Sequence, residues 1–186
     1  MELDMLKPWG FFDGAAHNNV CGGGALLYLS ETHFFELSAG LGEGSNNFAE
    51  IMSLKLLLVF AAEKGVKTLH FMGDSSNVIN WMNGTQLCSN IRLENILLTA
   101  REILDTFDEF TCCHIFRENS REAYLASKAG LQLVMGQWQI KEHINGSTLD
   151  YFHRPFIEST YILLLSTSHY YYEADIILCY IFCFLL

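Results

Sequence analysis

The stretch "WGFFDGAAHNNVCGGGALLYL", residues 9–29, contains two apolar segments separated by a polar one. "WGFFD" and "CGGGALLYLS" favour strands, and "GAAHNN" has the small and amide residues typical of a turn. The first segment ends at Asp13, which by two-residue alternation shares a strand face with Trp9 and Phe11. An acidic side chain on an otherwise apolar strand face needs an explanation.

The segments that follow extend this start into a mixed sheet. "HFFELSAGLG" predicts a third strand, and "NNFAEIMSLKLLLVFAAEKG" predicts a long apolar helix that ends at Gly65. The remaining segments predict the order β-β-β-α-β-α-α-β-α, with the final strand at "FTCCHIF". Three consecutive strands followed by alternating elements indicate an α/β fold in which helices pack on both faces of a mixed sheet.

Composition restricts the functional classes. The chain has 186 residues, of which 51% are hydrophobic and 17% charged, as expected for a globular domain. Its 21 acidic and 11 basic residues give a net charge of −10, the wrong sign for a general nucleic-acid binder. Any function on nucleic acid must therefore depend on a specific site, bridged by metal.

The two ends of the chain bear on its location. "MELDMLKPWG" lacks the apolar core of a signal peptide, and the six cysteines form no CxxC pair. We therefore predict an intracellular protein, cytoplasmic or nuclear and not secreted. Residues 159–186 form an irregular hydrophobic tail whose longest apolar run, residues 176–186, has 11 residues. Because a spanning helix needs about 20, no membrane partner is expected.

Three acids stand in apolar surroundings. Besides Asp13, Glu50 begins an apolar helix stripe that continues at Leu54 and Leu57, while the polar side of that helix is expected near Lys55 and Glu63. Asp74 follows an apolar strand at a strand-to-helix junction, where sites form in open α/β sheets. If these elements are neighbours, the three carboxylates converge.

Each acid has an ordinary alternative. Asp74 could cap the following helix, and Asp13 could form a turn with Gly14. Glu50 is harder to explain, since glutamate is rarely buried unless it is paired. Three converging carboxylates stay ionised only if a cation compensates their charge, and hard oxygen ligands suit Mg²⁺.

Four segments, taken jointly, resemble a known family. They are "FFDGAAHNNVCGGGALLYL", "GSNNFAEIMSLKLLL", "LHFMGDSSNVINWMNG" and "HIFRENSREAYLASKAG". In order and spacing they are similar to the type 1 ribonuclease H-like domain, in particular the reverse-transcriptase-associated type of plant retroelements. The resemblance covers residues 9–132. Residues 133–158, with "GQWQI" and "DYFHRPF", resemble the extension that often follows, and residues 159–186 are the tail.

The resemblance implies a five-stranded mixed sheet and a site with two Mg²⁺ ions, or Mn²⁺. There a water would attack the RNA strand of an RNA–DNA hybrid and leave 5′-phosphate and 3′-hydroxyl ends. Asp13, Glu50 and Asp74 match catalytic metal ligands. Asn46 and Asn47 match the pair that reads the minor groove of the hybrid, with helix capping as the alternative. A monomer is expected.

The final helix departs from the family. It is expected to begin at a capping box formed by Asn119 and Glu122 and to end at Gly130. Its apolar face would contain Ala123, Leu125, Ala126 and Ala129, whereas Tyr124 and Ser127 would lie on the polar face.

Tyr124 stands where the family pattern "ADxLA" has its fourth carboxylate. Tyrosine is neutral near pH 7 and is a poor ligand for Mg²⁺. His114 matches in spacing a histidine of a mobile loop in the family, but its apolar strand setting favours a structural role.

Three functions remain to be compared. The first is a metal-dependent hybrid ribonuclease weakened by Tyr124. The second is a catalytically impaired nucleic-acid-binding or vestigial retroelement-derived module, which Tyr124 and the acidic charge favour. The third, an exonuclease of the same superfamily, is disfavoured because Gly14 and Ala15 follow Asp13 where an acid-x-Glu pair would be expected.

Overall fold

A seven-stranded mixed sheet forms the frame of the computed structural model, which describes residues 7–155. The strands are β1 (Trp9–His17), β2 (Val20–Ser30), β3 (His33–Glu43), β4 (Thr68–Gly73), β5 (Glu109–His114), β6 (Gln137–Ile144) and β7 (Ser147–Pro155). The helices are α1 (Asn46–Glu63), α2 (Ser76–Met82), α3 (Ile91–Leu104) and α4 (Arg121–Gly130), with a 3-10 turn at Arg117–Asn119.

The strand order is β5-β4-β1-β2-β3-β6-β7. β4 lies between β1 and β5 and is parallel to both, whereas the other neighbours are antiparallel. The element order expected from the sequence is present, but the sheet has seven strands and not five. The additional two, β6 and β7, form a hairpin that extends the sheet beyond β3.

Stacked rings connect the hairpin to the rest of the sheet. Trp9 of β1 stacks on Tyr28 of β2 with ring centroids 4.9 Å apart, and Tyr28 stacks on Phe34 of β3 at 4.7 Å. Phe34 in turn stacks on His143 of β6 at 4.3 Å. Cross-strand aromatic pairs of this kind stabilise a sheet, so β6 is held by side chains as well as by its backbone ladder.

The first turn lies later than the sequence pattern indicated. β1 continues through Gly14 to His17, and the chain reverses at Asn18 and Asn19, whose φ angles are 49° and 64°. Asparagine tolerates this left-handed region better than most residues, which suits a tight hairpin. Asp13 is therefore paired within the strand, opposite Gly24, and is not a turn residue.

Helix α1 is buried on more sides than its pattern suggested. Lys55, expected on a polar side, is only 1% exposed because α3 packs over that part of the helix. Burial lowers the pKa of Lys55 to about 8, while the charge of Glu102 on α3 opposes this shift. The prediction of a polar side at Lys55 was wrong, because burial by a neighbouring helix cannot be read from the sequence of α1 alone.

The predicted tail, residues 159–186, lies outside the described residues. Within residues 7–155, no helix is both long and apolar enough to cross a membrane. The four cysteines of this part of the chain, Cys21, Cys88, Cys112 and Cys113, are free.

Candidate metal centre

Two of the carboxylates lie where parallel strands end. The parallel pairing of β1 and β4 ends with Phe12 opposite Gly73. Asp13 and Asp74 are the residues that directly follow these two. Asp13 is 1% exposed. Asp74 does not cap α2, because Ser75 occupies the N-cap position and the Asp74 side chain bonds elsewhere. The carboxyl end of a parallel pair thus presents both acids together.

Glu50 reaches the same place because Gly14 has no side chain. A Cβ atom on Gly14 would lie 2.2 Å from the backbone nitrogen of Glu50, so only glycine lets α1 approach β1 this closely. The backbone N–H of Gly14 donates a hydrogen bond of 3.1 Å to Glu50 Oε2. The contact fixes a buried glutamate beside the end of β1.

The three acids therefore converge, as their spacing predicted. Asp13, Glu50 and Asp74 each offer one ligand oxygen, and these oxygens lie within 4.8 Å of one another. No other group of three or more potential metal ligands of this kind is present among residues 7–155.

Burial and mutual repulsion change the acidity of this group. The pKa of Asp13 is raised to about 6, mainly by burial and in smaller part by the nearby charge of Asp74, while a hydrogen bond from Ser127 opposes the shift. Burial raises the pKa of Glu50 to about 9, with repulsion from Asp13 and Asp74 as further causes. Without a compensating cation, Glu50 is therefore protonated at neutral pH.

The oxygen atoms of the group fit a divalent cation. Among the described residues, Asp13 Oδ1 and Asp74 Oδ1 are buried and have no hydrogen-bond partner. Such orphaned acceptors are rare in folded proteins. Carboxylate oxygens are the ligands that Mg²⁺ and Mn²⁺ take, so the residues present could hold either ion.

Helix α4 closes the site from the opposite face of the sheet. It packs directly on the β2 backbone, since Cβ atoms on Gly22 and Gly24 would each lie 2.4 Å or less from the backbone of α4. Its buried residues are Ala123, Ala126, Ser127 and Gly130. Leu125 is 55% exposed. The packed face therefore includes Ser127 and excludes Leu125, contrary to the prediction. Small size and not hydrophobicity decides which residues fit against the glycines of β2.

Ser127 is a site residue that the sequence pattern missed. Its hydroxyl is buried and lies 2.6 Å from Asp13 Oδ2, to which it donates. The same hydroxyl lies 2.8 Å from the carbonyl oxygen of Tyr124. The spacing of four small residues at positions 123, 126, 127 and 130 could have placed Ser127 on the packed face.

Arg117 is a second missed residue. Its Nε donates a hydrogen bond of 2.6 Å to Asp74 Oδ2, and this bond raises the pKa of Arg117. The Arg117 guanidinium and the Lys128 ammonium lie 5.8 Å and 5.3 Å from the ring centroid of Tyr124. Two positively charged side chains thus lie against the Tyr124 ring, beside the acids. No sequence pattern relates Arg117 to Asp74, because 43 residues separate them.

The start of α4 differs from the expected capping box. Asn119 belongs to the preceding 3-10 turn, and Ser120 is the N-cap residue without a side-chain capping bond. Gly130 is the last residue of the helix, and a Cβ there would lie 2.5 Å from the carbonyl oxygen of Ala39. Gly130 is therefore needed for close packing against β3.

The two asparagines lie at the start of α1. Ser45 caps this helix, because its Oγ accepts a hydrogen bond of 3.2 Å from the Phe48 N–H. Capping is therefore not the role of Asn46 or Asn47. Asn46 is exposed and precedes Glu50 by one helical turn.

His114 is the last residue of β5 and is exposed. Its Nε2 lies 3.1 Å from the backbone carbonyl oxygen of Asp74. The contact supports the backbone of a carboxylate that could bind metal. His114 thus contacts backbone next to the site, and its structural role stays a prediction.

Comparisons with known proteins find relatives for most of the chain. A family profile described as reverse transcriptase-like matches residues 11–130. Ribonuclease HI of Halobacterium salinarum is 30% identical over 123 residues, which is 64% of this chain and 62% of that protein. The chain therefore spans less than two thirds of the length of this curated relative.

Solved structures share the fold. The crystal structure of RNase H1 from Halobacterium salinarum has a TM-score of 0.65 and 26% identity, and the match covers 68% of this chain and 98% of that one. LC11-RNase H1, solved in complex with an RNA/DNA hybrid, has a TM-score of 0.63 and 22% identity and is covered to 97%, with 68% of this chain matched. These structures confirm the predicted ribonuclease H-like fold class.

Proposed function

The chain belongs to the reverse transcriptase-like family of ribonuclease H-like domains, and from this premise we propose that it hydrolyses the RNA strand of RNA–DNA hybrids. The reaction would be endonucleolytic and dependent on Mg²⁺ or Mn²⁺. The observation that carries the proposal is the convergence of Asp13, Glu50 and Asp74 within 4.8 Å, with buried oxygens left without partners.

Each residue has a role in this proposal. Asp13, Glu50 and Asp74 hold the metal, and a bound divalent cation supplies an activated water and neutralises charge on the phosphate. Gly14 and Ser127 orient Glu50 and Asp13 through hydrogen bonds.

Substrate-binding residues would flank the three acids. Asn46 and Asn47 lie at the start of α1, one turn before Glu50, where they could contact the minor groove and its 2′-hydroxyls. Arg117 and Lys128 lie on the other flank, where they could contact phosphates. A local basic flank of this kind would compensate for the acidic net charge of the chain.

Tyr124 makes slow turnover the expected behaviour. It would occupy the position of the fourth family carboxylate, and a neutral phenol adds no charge to hold a metal. We further propose a retroelement origin of the plant type, a catalytic domain at residues 9–132 and an extension at residues 133–158.

A second candidate function rests on the Arg117–Asp74 ion pair. Because Arg117 already partners one carboxylate, the centre could bind a hybrid without cleaving it, as a retroelement-derived binding module. This alternative is distinguished from the first by turnover alone.

The deciding experiment uses the purified full chain with a labelled hybrid and either Mg²⁺ or Mn²⁺. We expect cleavage of the RNA strand of the hybrid, no cleavage of a DNA duplex, and loss of cleavage in Asp13→Asn. Asp108→Asn, an exposed acid, is the matched control and should retain activity. Hybrid binding without cleavage, unchanged by Tyr124→Asp, would establish the binding module instead.

A further inference from the structure

Each carboxylate of the centre has one oxygen committed to a donor of this chain. Asp13 Oδ2 accepts from the Ser127 hydroxyl at 2.6 Å, and Asp74 Oδ2 accepts from Arg117 Nε at 2.6 Å. Glu50 Oε2 accepts from the Gly14 N–H at 3.1 Å. Two of these donors, Ser127 and Arg117, come from α4 or the turn before it.

The commitment of Asp13 matters most. A carboxylate that binds two cations usually presents one oxygen to each. Here Asp13 Oδ1 is buried without a partner among the described residues, but Oδ2 is held by a short bond from a side chain that is itself buried. One oxygen of Asp13 therefore has no partner within the described chain, whereas the other would bind a cation only by giving up or sharing its hydrogen bond with Ser127.

The charges point the same way. Four carboxylates would balance two divalent cations, but Tyr124 is neutral and leaves three. One divalent cation together with the guanidinium of Arg117 balances these three charges. A second divalent cation would add two uncompensated positive charges beside Arg117, in a site where burial makes charge imbalance costly.

Resting on the proposed function, we infer that this centre binds one divalent cation and not two. Arg117, held against the ring of Tyr124, takes the place of the second cation as a fixed positive charge. Arginine suits this role, since it stays protonated at any physiological pH and its donors match phosphate oxygens. Its side chain is 65% exposed, so it remains accessible to a substrate phosphate.

The test counts Mn²⁺ ions on the full chain by electron paramagnetic resonance, without cleavage as a readout. It is made on the free protein and on the protein with a hybrid whose RNA strand is 2′-O-methylated and resists hydrolysis. We expect one ion per chain in both samples, with the spectrum of an isolated ion. Two ions, or the spectrum of a spin-coupled pair, would overturn the inference, and so would the absence of bound Mn²⁺.

The proposed function is tested separately in the same samples. If the hybrid does not bind, the proposed function fails, and the count on the free protein still decides the inference. If the hybrid binds with two ions, the inference fails and the proposed function stands.

Two variants test the role of Arg117. The triple variant Arg117→Gln, Tyr124→Asp and Ser127→Ala, which also frees Asp13 Oδ2, should gain a second, spin-coupled Mn²⁺, and a count that stays at one would show that Arg117 does not fill this position. Arg117→Gln alone should tighten binding of the first ion roughly three- to tenfold, because a positive charge a few ångströms away is removed. Arg121→Gln, the same charge change at the exposed first residue of α4, should shift this affinity less than about twofold. Far-ultraviolet circular dichroism confirms that each variant is folded.

Discussion

Asp13 and Ser127, which are 114 residues apart in the chain, are joined by a buried hydrogen bond of 2.6 Å. The bond connects β1 to α4 across the sheet and holds one oxygen of the central carboxylate. It exists because Gly22 and Gly24 let the helix backbone rest directly on β2. The fit of a helix to a strand of glycines thus sets the orientation of a proposed metal ligand.

Removing this bond should destabilise the protein. Ser127→Ala leaves Asp13 Oδ2 buried without its partner, and we expect the free energy of unfolding in EDTA to fall by about 1–3 kcal/mol. Ser120→Ala is the matched control, because Ser120 is equally buried and its hydroxyl has no partner among the described residues. Urea denaturation of both variants measures the difference. Equal losses would show that the bond to Asp13 contributes nothing specific.

Without metal, stability should fall as pH rises. The folded pKa values of Asp13 and Glu50, about 6 and about 9, exceed their ordinary values of 3.8 and 4.5. The folded state therefore holds protons that the unfolded chain releases, and this contribution is greatest below about pH 4 and is lost as pH rises through each folded pKa. Between about pH 5 and about pH 7.5 in EDTA, we expect the free energy of unfolding to fall by a few kcal/mol.

Thermal unfolding at several pH values checks this expectation. Glu50→Gln should flatten the profile, whereas Glu31→Gln, at an exposed turn, should not. Adding Mg²⁺ should restore stability at the upper pH, since the cation binds ionised carboxylates. A wild-type profile that is flat in EDTA would contradict the raised pKa values of these acids.

Restoring the fourth carboxylate should raise the cleavage rate. We expect Tyr124→Asp to increase hybrid cleavage about 10- to 100-fold, the range typical of residues that tune a metal site. Tyr124→Asn is the control, because asparagine has the size of aspartate but no charge, and it should give no increase. Steady-state rates at saturating Mg²⁺ distinguish the two. A rise in both variants would assign the effect to loss of the ring and not to added charge.

Gly14 should tolerate no side chain. In Gly14→Ala the new Cβ would meet the backbone of α1 at 2.2 Å, and since backbone cannot move aside cheaply, we expect a loss of about 3 kcal/mol or more. Gly65→Ala is the control, because Gly65 has a φ of +73° but no atom within 4 Å of the new Cβ. Strain alone should cost about 1 kcal/mol there. Chemical denaturation compares the two, and similar losses would exclude the close approach as the cause.

The two asparagines should affect substrate choice and not folding. Asn46→Ala with Asn47→Ala should weaken binding of the hybrid relative to a DNA duplex by about 1 kcal/mol or more, since contacts to 2′-hydroxyls are lost. Ser45→Ala is the control, because it removes the α1 cap, lowers stability by about 1 kcal/mol and should leave this preference unchanged. Binding titrations on both duplexes give the ratio. An unchanged ratio in the asparagine variant would remove the pair from the substrate site.

The sequence by itself determined the order of elements and the positions of three acids. Periodicity located α1 and β4, and the apolar surroundings of Asp13, Glu50 and Asp74 marked them because a buried charge requires compensation. These signals are local, since each depends on residues within one strand or one helix. The resemblance added Tyr124 as a departure from the family pattern, and its assignment to the fourth carboxylate position stays a prediction.

Only the tertiary structure decided how the acids are held. The contacts of Asp13 with Ser127 and of Asp74 with Arg117 join residues 114 and 43 positions apart, and no periodicity relates them. The burial of Lys55 and the rotated face of α4 likewise depend on what packs against a helix. A sequence records the chemistry of each side chain, but the partner of a buried polar atom is set by the approach of distant backbones. At this site that approach is possible because the residues at the contacts are glycines.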